Sequence, residues 1–373
     1  MNLAIFSPNQ NKYSETFIKA HKNHIKADNL YYIYGGNLQN MFIEDKAELI
    51  NPKKQLILQG IAKLTSKNFN DTSKSEVARK LKTLKIDVAL VEFGTHAMKL
   101  VNVFKKANIP YVVHFHGYDA SVKDIIKQHD NYRALFNSAS YIITVSTSMT
   151  KKLLDMGCPE HKLVYNVYGA NPIFKERTPH FSKKQAVAIG RFVDKKAPYY
   201  SILAFKKVVD KHPEAQLKMA GQGVLFNTCS NLIKYFNLEN NIKLLGIVKP
   251  EQVAELMQES YCFVQHSITA ENGDQEGTPL AVLESALSGL PVVSTYHAGI
   301  PDVIEHEQTG LLCKEHDVDM MAKNLTQIFD DVEFAKQLGQ KAREEHIEKF
   351  SLERHISSLE ETLHKTLNQT NKI

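Results

Sequence analysis

No apolar run in this chain approaches the ~20 residues a helix needs to cross a bilayer. The first ten residues, Met1-Asn-Leu-Ala-Ile-Phe-Ser-Pro-Asn-Gln10, lack the basic start and apolar core of a secretory leader, so a cytoplasmic protein is expected. Cysteine is scarce. Cys158, Cys229, Cys262 and Cys313 are scattered without metal-ligand spacing, which suits a reducing compartment. Glycine is missing where a dinucleotide-binding loop would need it: the first apolar run ends in Ser7-Pro-Asn-Gln-Asn11, which argues against a nicotinamide enzyme. Arginine is scarce in the first half, and no Arg-rich or aromatic-interleaved motif appears, so no nucleic-acid partner is expected.

What is present is the composition of a soluble globular protein, 43% apolar and 23% charged, over 373 residues, a length that favours two domains. Strand-like runs alternate with helical patterns, the mark of α/β layering with parallel sheets. The first half predicts strands near Leu3–Ser7, Leu30–Tyr34, Asp87–Phe93, Tyr111–His116, Tyr141–Ser146 and Val164–Tyr168. The second half predicts them near Ala186–Gly190, Gln216–Ala220, Ile242–Val248, Cys262–Gln265 and Pro291–Ser294. The polar, Pro-broken run from Asn171 to Lys184 reads as a linker, dividing a domain of residues 1–172 from one of residues 183–349. Residues 37–70 predict only a strand-and-loop excursion. Beyond Met321 the pattern is continuously helical, and its last helix, about residues 350–373, carries Leu352, Ile356, Leu359 and Leu363 on one face.

Charge is uneven. Residues 1–175 hold 24 Lys and Arg against 14 Asp and Glu, or +10, leaving 22 against 27, or −5, for the remainder. A basic half points to an anionic surface such as lipid headgroups or a lipid-diphosphate acceptor; lysines spread over solvated faces are the alternative.

The segment Glu271-Asn-Gly-Asp-Gln-Glu276-Gly-Thr278-Pro-Leu-Ala-Val-Leu-Glu284-Ser-Ala-Leu-Ser-Gly289-Leu-Pro291 reads as a loop feeding a short helix. Thr278 is the expected N-cap and Pro279 the first helical residue, with Gly289 as a left-handed C-cap before Leu290-Pro291. Preceded by Gly277, that helix start is an anion site through its free N–H groups and dipole. Glu284 lies roughly 7–8 Å further along the axis, the span from a diphosphate to its ribose hydroxyls. A carboxylate accepts two hydroxyl hydrogen bonds well. Glu276, on the other side, would face the group the phosphate carries. A capped surface helix with an incidental glutamate is the plainer alternative.

Two further stretches end strands in polar turns. Tyr111-Val-Val-His114-Phe-His116-Gly117-Tyr-Asp119 puts His114 and His116 on one face, His116 nearest the exit. His114 is expected to be structural, and Asp119 either a helix-start residue or a ligand contact. Gly190-Arg191-Phe-Val-Asp-Lys195-Lys196 leaves a buried strand with cations suited to phosphate oxygens. Asp317 before Val318 and Asp319 is expected to cap a helix rather than bind metal.

Together these motifs resemble family 4 of the glycosyltransferases, retaining enzymes of GT-B fold, and most of all the bacterial enzymes that assemble exopolysaccharides such as colanic acid. The resemblance covers nearly the whole chain, strongest over residues 186–310. It implies two facing Rossmann-like domains with the C-terminal helix crossing back to the first. It implies transfer of a sugar from a nucleotide-diphosphate donor, UDP-sugar ahead of GDP-mannose, to a saccharide or lipid-linked acceptor, with no metal and no cofactor. His116 and Glu276 would serve the reacting sugar, Arg191 and Lys196 the diphosphate. Gly190, Gly277, Thr278, Pro279, Leu280 and Glu284 would line the donor site, and the backbone of Leu245, Gly246 and Val248 would read the base. Ser14, Glu15, Thr16, Gly117 and Asp119 would lie on the acceptor side. A nucleotide-sugar 2-epimerase of the same fold, or a non-catalytic sugar-nucleotide-binding partner, remain alternatives.

Overall fold

The computed structural model describes residues 1–10, 12–45, 49–50, 57, 60 and 69–370. Much of the excursion expected over residues 37–70 lies outside them, as do Lys53, Lys54, Lys63 and Lys67. The chain forms two compact units. One comprises Met1–Val145, Met149–Asn166 and Ile356–Ile373; the other, Ser146–Ser148 and Val167–His355.

The first unit is built on β1 (Asn2–Ser7), β2 (Asn29–Tyr34), β3 (Phe42–Ile43), β4 (Val88–Glu92), β5 (Tyr111–His114), β6 (Tyr141–Thr144) and β7 (Leu163–Tyr165). Its sheet runs β3-β2-β1-β4-β5-β6-β7, parallel except for the short edge strand β3. Val88, Ala89, Leu90 and Val91 of β4 are buried without alternation, as a parallel strand covered on both faces requires. The second unit has β8 (Gln185–Ile189), β9 (Gln216–Ala220), β10 (Ile242–Gly246), β11 (Cys262–Val264), β12 (Val292–Thr295) and β13 (Gly310–Cys313). Its order is β10-β9-β8-β11-β12-β13, all parallel. In both sheets the strand order reverses beside the unit's first strand. Open α/β sheets hold ligands at that switch point, at the carboxyl ends of the strands.

All eleven expected strands occur, with ends shifted by a few residues. The tyrosine-initiated strand stops at His114 rather than His116, and β10 stops at Gly246, short of Val248. The two-residue β3 falls within the strand-and-loop excursion expected over residues 37–70, while β13, whose Gly-Leu-Leu-Cys is too short to show a period, was not anticipated.

The expected linker is a packed part of the second unit. Phe174 is buried in the turn Pro172–Glu176, the His180 N–H donates to the Gln258 carbonyl at 2.8 Å, and Arg343 Nη1 donates to the Arg177 carbonyl at 2.9 Å. The units divide instead at Asn166 and Val167. The C-terminal helix Leu352–Thr370 belongs to the first unit from Ile356 onward. Leu352, Ile356, Leu359 and Leu363 are all buried, and Glu360 accepts the Lys26 N–H at 2.7 Å. Beyond Met321 the helical run is broken at Asp331, whose carboxylate caps the helix Val332–Lys349 through the Phe334 N–H. Asp317 caps Val318–Asp330 by accepting the Met320 N–H at 2.8 Å, as expected.

Candidate active-site clusters

Chemistry-bearing side chains gather at the switch point of each unit. In the second unit, β8 ends at Ile189, and Gly190 donates its N–H to the Ala220 carbonyl at 2.9 Å. The Lys196 stem crosses this glycine: a Cβ at position 190 would come within 2.7 Å of Lys196 Cδ. At the end of β9, Gly221 adopts φ +139°, and a Cβ there would sit 1.8 Å from the Gly190 carbonyl oxygen. Only glycine lets the two strand exits approach this closely.

The adjacent lysines part company. Lys195 is buried and turns its Nζ to Asp274 Oδ1 at 2.9 Å and the Gln275 carbonyl at 3.0 Å. Lys196 instead reaches Gln265 Oε1 at 3.1 Å and Glu276 Oε1 at 3.3 Å. Burial lowers the Lys196 pKa, and Glu276 partly offsets that. Burial alone would raise the Glu276 carboxyl, but Lys196, Lys195, His297 and Arg191 together hold it down to about 2. Glu276 is therefore an anion at neutral pH. The Arg191 guanidinium makes no hydrogen bond or ion pair among the described residues, which leaves its fork available; only its carbonyl is engaged, by the Val193 N–H at 3.0 Å.

The helix after Glu276 begins later than expected. It spans Leu280–Ser288 with Pro279, not Thr278, at the N-cap, and no side chain caps it. The Pro279 carbonyl takes the Val282 N–H at 3.1 Å, leaving the Leu280 and Ala281 N–H groups without acceptors inside the helix. Thr278 is buried, and Gly277 accepts the Gly299 N–H at 3.0 Å. Gly289 closes the helix at φ +82°, as its position predicts. One turn past Leu280, the Glu284 carboxyl makes no hydrogen bond among the described residues. Burial lifts its pKa to about 7, against the pull of Lys196.

At β10, Gly246 takes φ +69° and its carbonyl accepts the Gly221 N–H at 2.7 Å, while Leu245 and Ile247 are exposed and Val248 lies past the strand.

In the first unit the centre is Glu92, at the end of β4 and fully buried. Its oxygens lie 2.7 Å from His21 Nδ1 and 2.8 Å from His116 Nε2. The His116 ring stacks on Phe17 at 4.4 Å and meets Phe93 edge-on at 4.5 Å. His114 is buried, its ring 4.4 Å from that of His116 and 5.2 Å from that of His21. Burial alone would raise the Glu92 pKa, yet the two bonded imidazoles hold it at about 2. Donor atoms of His21, Glu92 and His114 lie within 4.8 Å of one another, the one such metal-capable group among the described residues. Hydrogen bonds already engage both Glu92 oxygens.

Of the two readings of Asp119, the structure shows the helix-start one: it sits in the first turn of the helix Tyr118–Ser121 and organises the turn before it. Fully buried, it accepts the N–H groups of Gly94 at 2.9 Å and of His116 and Gly117 at 3.0 Å each. Gly117 has φ +147° in that turn. Thr16 opens the helix Thr16–His24 just after Ser14 and Glu15, but Glu15 supplies no side-chain cap. Its carboxylate accepts Asn9 Nδ2 at 3.0 and 3.1 Å instead, tying the helix start to the loop after β1.

Sequence reasoning missed Glu92, His21, Asp274, His297 and Glu315, and offered Lys195 only as a phosphate cation competing with Lys196, not as the partner of Asp274. A carboxylate ending the apolar run Val88-Ala-Leu-Val-Glu92 was the available signal for the first; the others act only through distant partners.

Residues 171–345 match the family model described as glycosyl transferases group 1. The chain is 31% identical over 259 residues to the amylovoran biosynthesis glycosyltransferase AmsK of Erwinia amylovora, a match covering 68% of this chain and 63% of that protein. It is 27% identical over 219 residues to the putative colanic acid biosynthesis glycosyltransferase WcaL of Escherichia coli, covering 57% and 53%. The match thus spans less than two thirds of either relative. Among solved structures it is similar to Anabaena Alr3699/HepE in complex with UDP-glucose, at a TM-score of 0.76 and 15% identity, covering 99% of this chain and 100% of that one. That likeness shows the fold, the GT-B fold.

Proposed function

We propose that this protein is a glycosyltransferase that moves a sugar from a nucleotide-diphosphate donor, a UDP-sugar, to an acceptor hydroxyl in bacterial polysaccharide assembly. The observation that carries the reading is the arrangement at the carboxyl end of β8. There the free Arg191, Lys196 and the open start of Leu280–Ser288 supply positive potential, with Glu276 ionised at 3.3 Å from Lys196. The names of the relatives, amylovoran and colanic acid biosynthesis glycosyltransferases, support an exopolysaccharide role. The HepE complex supports UDP as the nucleotide.

Departure of the diphosphate builds negative charge on its oxygens. Arg191, Lys196 and the Leu280 and Ala281 N–H groups meet that charge as preorganised donors, so this reading needs no metal and no cofactor. Glu276 takes hydroxyls of the donor sugar, Glu284 those of the ribose, and the backbone at Leu245, Gly246 and Val248 reads the base. His116, oriented by Glu92, serves the reacting centre. The acceptor attacks the face the diphosphate leaves, so configuration at the anomeric carbon is retained. Ser14, Glu15, Thr16 and Gly117 face the acceptor, a saccharide or lipid-linked saccharide. The basic first unit contacts the anionic cytoplasmic leaflet, a peripheral site for a cytoplasmic enzyme.

The test is a thermal-shift panel of UDP- and GDP-sugars followed by product analysis. A ligand that binds only the folded state raises the melting temperature, by about 2.7 kcal/mol of stabilisation at a hundred times its Kd. At least one UDP-sugar should raise it more than its GDP counterpart and yield a glycosylated acceptor with the donor's anomeric configuration. No shift with any sugar nucleotide would refute the reading.

A further inference from the structure

His297, in the turn after β12, is completely buried and bridges two parts of the second unit. Its Nδ1 lies 2.6 Å from Glu315 Oε1, and its Nε2 lies 3.1 Å from the backbone nitrogen of Glu276. A backbone N–H can be met only by a lone pair, so Nε2 carries no proton and Nδ1 donates its own to Glu315. Glu315 also accepts the Thr269 N–H at 2.8 Å, and Gln275 Nε2 donates to Thr269 Oγ1 at 2.7 Å. One carboxylate thereby ties down both ends of the loop from Thr269 to Glu276, one end directly and the other through the imidazole. From the other side Lys195 holds Asp274 and the Gln275 carbonyl. A Cβ on Gly299 would lie 2.3 Å from the Gly277 carbonyl oxygen, so the strand exit packs directly on the loop's end.

We propose that His297 and Glu315 are a positioning pair that fixes the backbone at Glu276, and so aims its carboxylate at the donor sugar. The inference rests on the assignment of Glu276 to the sugar. Neither residue touches ligand; both act through Glu276. Histidine is the one side chain whose two nitrogens reach both partners here. Glutamine can present an acceptor where Nε2 stands, while asparagine can present a donor only where Nδ1 stands. The two substitutions therefore separate the two bonds.

Amide hydrogen exchange of peptides covering residues 269–278 should quicken by about tenfold in His297→Asn, the scale of one lost buried hydrogen bond, and stay near wild type in His297→Gln. This readout is independent of any catalytic assignment and, through His297→Gln, controls for folding. Calorimetry with UDP and with UDP-glucose supplies the second readout. His297→Asn should bind UDP as wild type does and lose most of the extra affinity the sugar confers, with His297→Gln restoring it and Glu315→Gln intermediate. Unchanged exchange in His297→Asn overturns the positioning pair. Altered exchange with an unchanged UDP-glucose to UDP affinity ratio keeps the pair but overturns its purpose. Wild-type protein that binds neither nucleotide fails the proposed function alone.

Discussion

His116 Nε2 lies 2.8 Å from Glu92 Oε2, and the other oxygen of that buried carboxylate is held by His21 at 2.7 Å. The pair fixes which nitrogen of His116 faces inward and, with Phe17 and Phe93 against its ring, leaves the imidazole little freedom. Breaking a buried ionic network by removing one member typically costs about 3–5 kcal/mol. Glu92→Gln should therefore destabilise the protein by roughly that amount at pH 7, read from urea unfolding. Because the two imidazoles hold the folded-state pKa at about 2, below the ordinary glutamate value of 4.5, this stability is present above pH 4.5 and lost as pH falls towards 2. The gap between wild type and variant should narrow over that window; a gap that stays constant would mean the carboxylate is not the source.

The proposed diphosphate clamp predicts large kinetic effects. Arg191→Ala and Lys196→Ala should each lower the transfer rate by ~10²–10³-fold, as removal of a preorganised charge does. A loss below about fivefold for both in a steady-state assay would remove them from the reaction.

The two glutamates should separate by ligand. Glu284→Ala should weaken calorimetric binding of bare UDP, which retains the ribose. Glu276→Ala should leave UDP binding nearly unchanged while lowering turnover of the sugar-bearing donor. Equal losses of UDP affinity would mean that the roles are mixed.

Glu284 also predicts a pH signature in the ligand-free protein. Burial lifts its folded-state pKa to about 7 from the ordinary glutamate value of 4.5, so ionisation is disfavoured in the folded protein. A raised acid contributes stability that is present below pH 4.5 and lost as pH climbs to 7. Glu284→Gln should thus match wild type in melting temperature at pH 5 and exceed it at pH 8, by up to about 3 kcal/mol of stability at one pKa unit per 1.36 kcal/mol. A variant less stable than wild type at pH 8 would show that the carboxylate is satisfied in the folded state.

The basic first unit predicts salt-sensitive binding to anionic vesicles. In the helix Phe69–Thr83, Lys74 pairs with Asp71 at 3.0 Å and Arg79 with Glu76 at 2.7 Å, so among the described residues the free charge there rests on Lys80 and Lys82, with Lys85 just beyond. Each cation near an anionic surface contributes about 1 kcal/mol, screened over ~8 Å at physiological salt. Co-sedimentation should occur with anionic vesicles at low salt, weaken at high salt and be slight with neutral ones. Equal binding to both would leave the lysines as solvated surface.

Much of this protein was determined by local sequence. The strands are continuous apolar runs such as Val88-Ala-Leu-Val, legible because a parallel strand buries both faces. Gly289 before Leu290-Pro291 announced the helix end, since only a left-handed residue followed by proline closes a helix so abruptly. The Glu276-to-Glu284 spacing marked the candidate donor site because helix rise converts residue count into distance. Tertiary structure alone decided what joins residues far apart. It divided the work of Lys195 and Lys196, neighbours in sequence, by setting Asp274 and the Gln275 carbonyl against the first and Gln265 and Glu276 against the second. It made the expected linker part of the second unit by burying Phe174. It also brought His21 to Glu92 and His297 to both Glu315 and Glu276. Such pairings leave no periodic trace in the chain, because their hydrogen bonds exist only once the sheets have set which strand ends lie side by side.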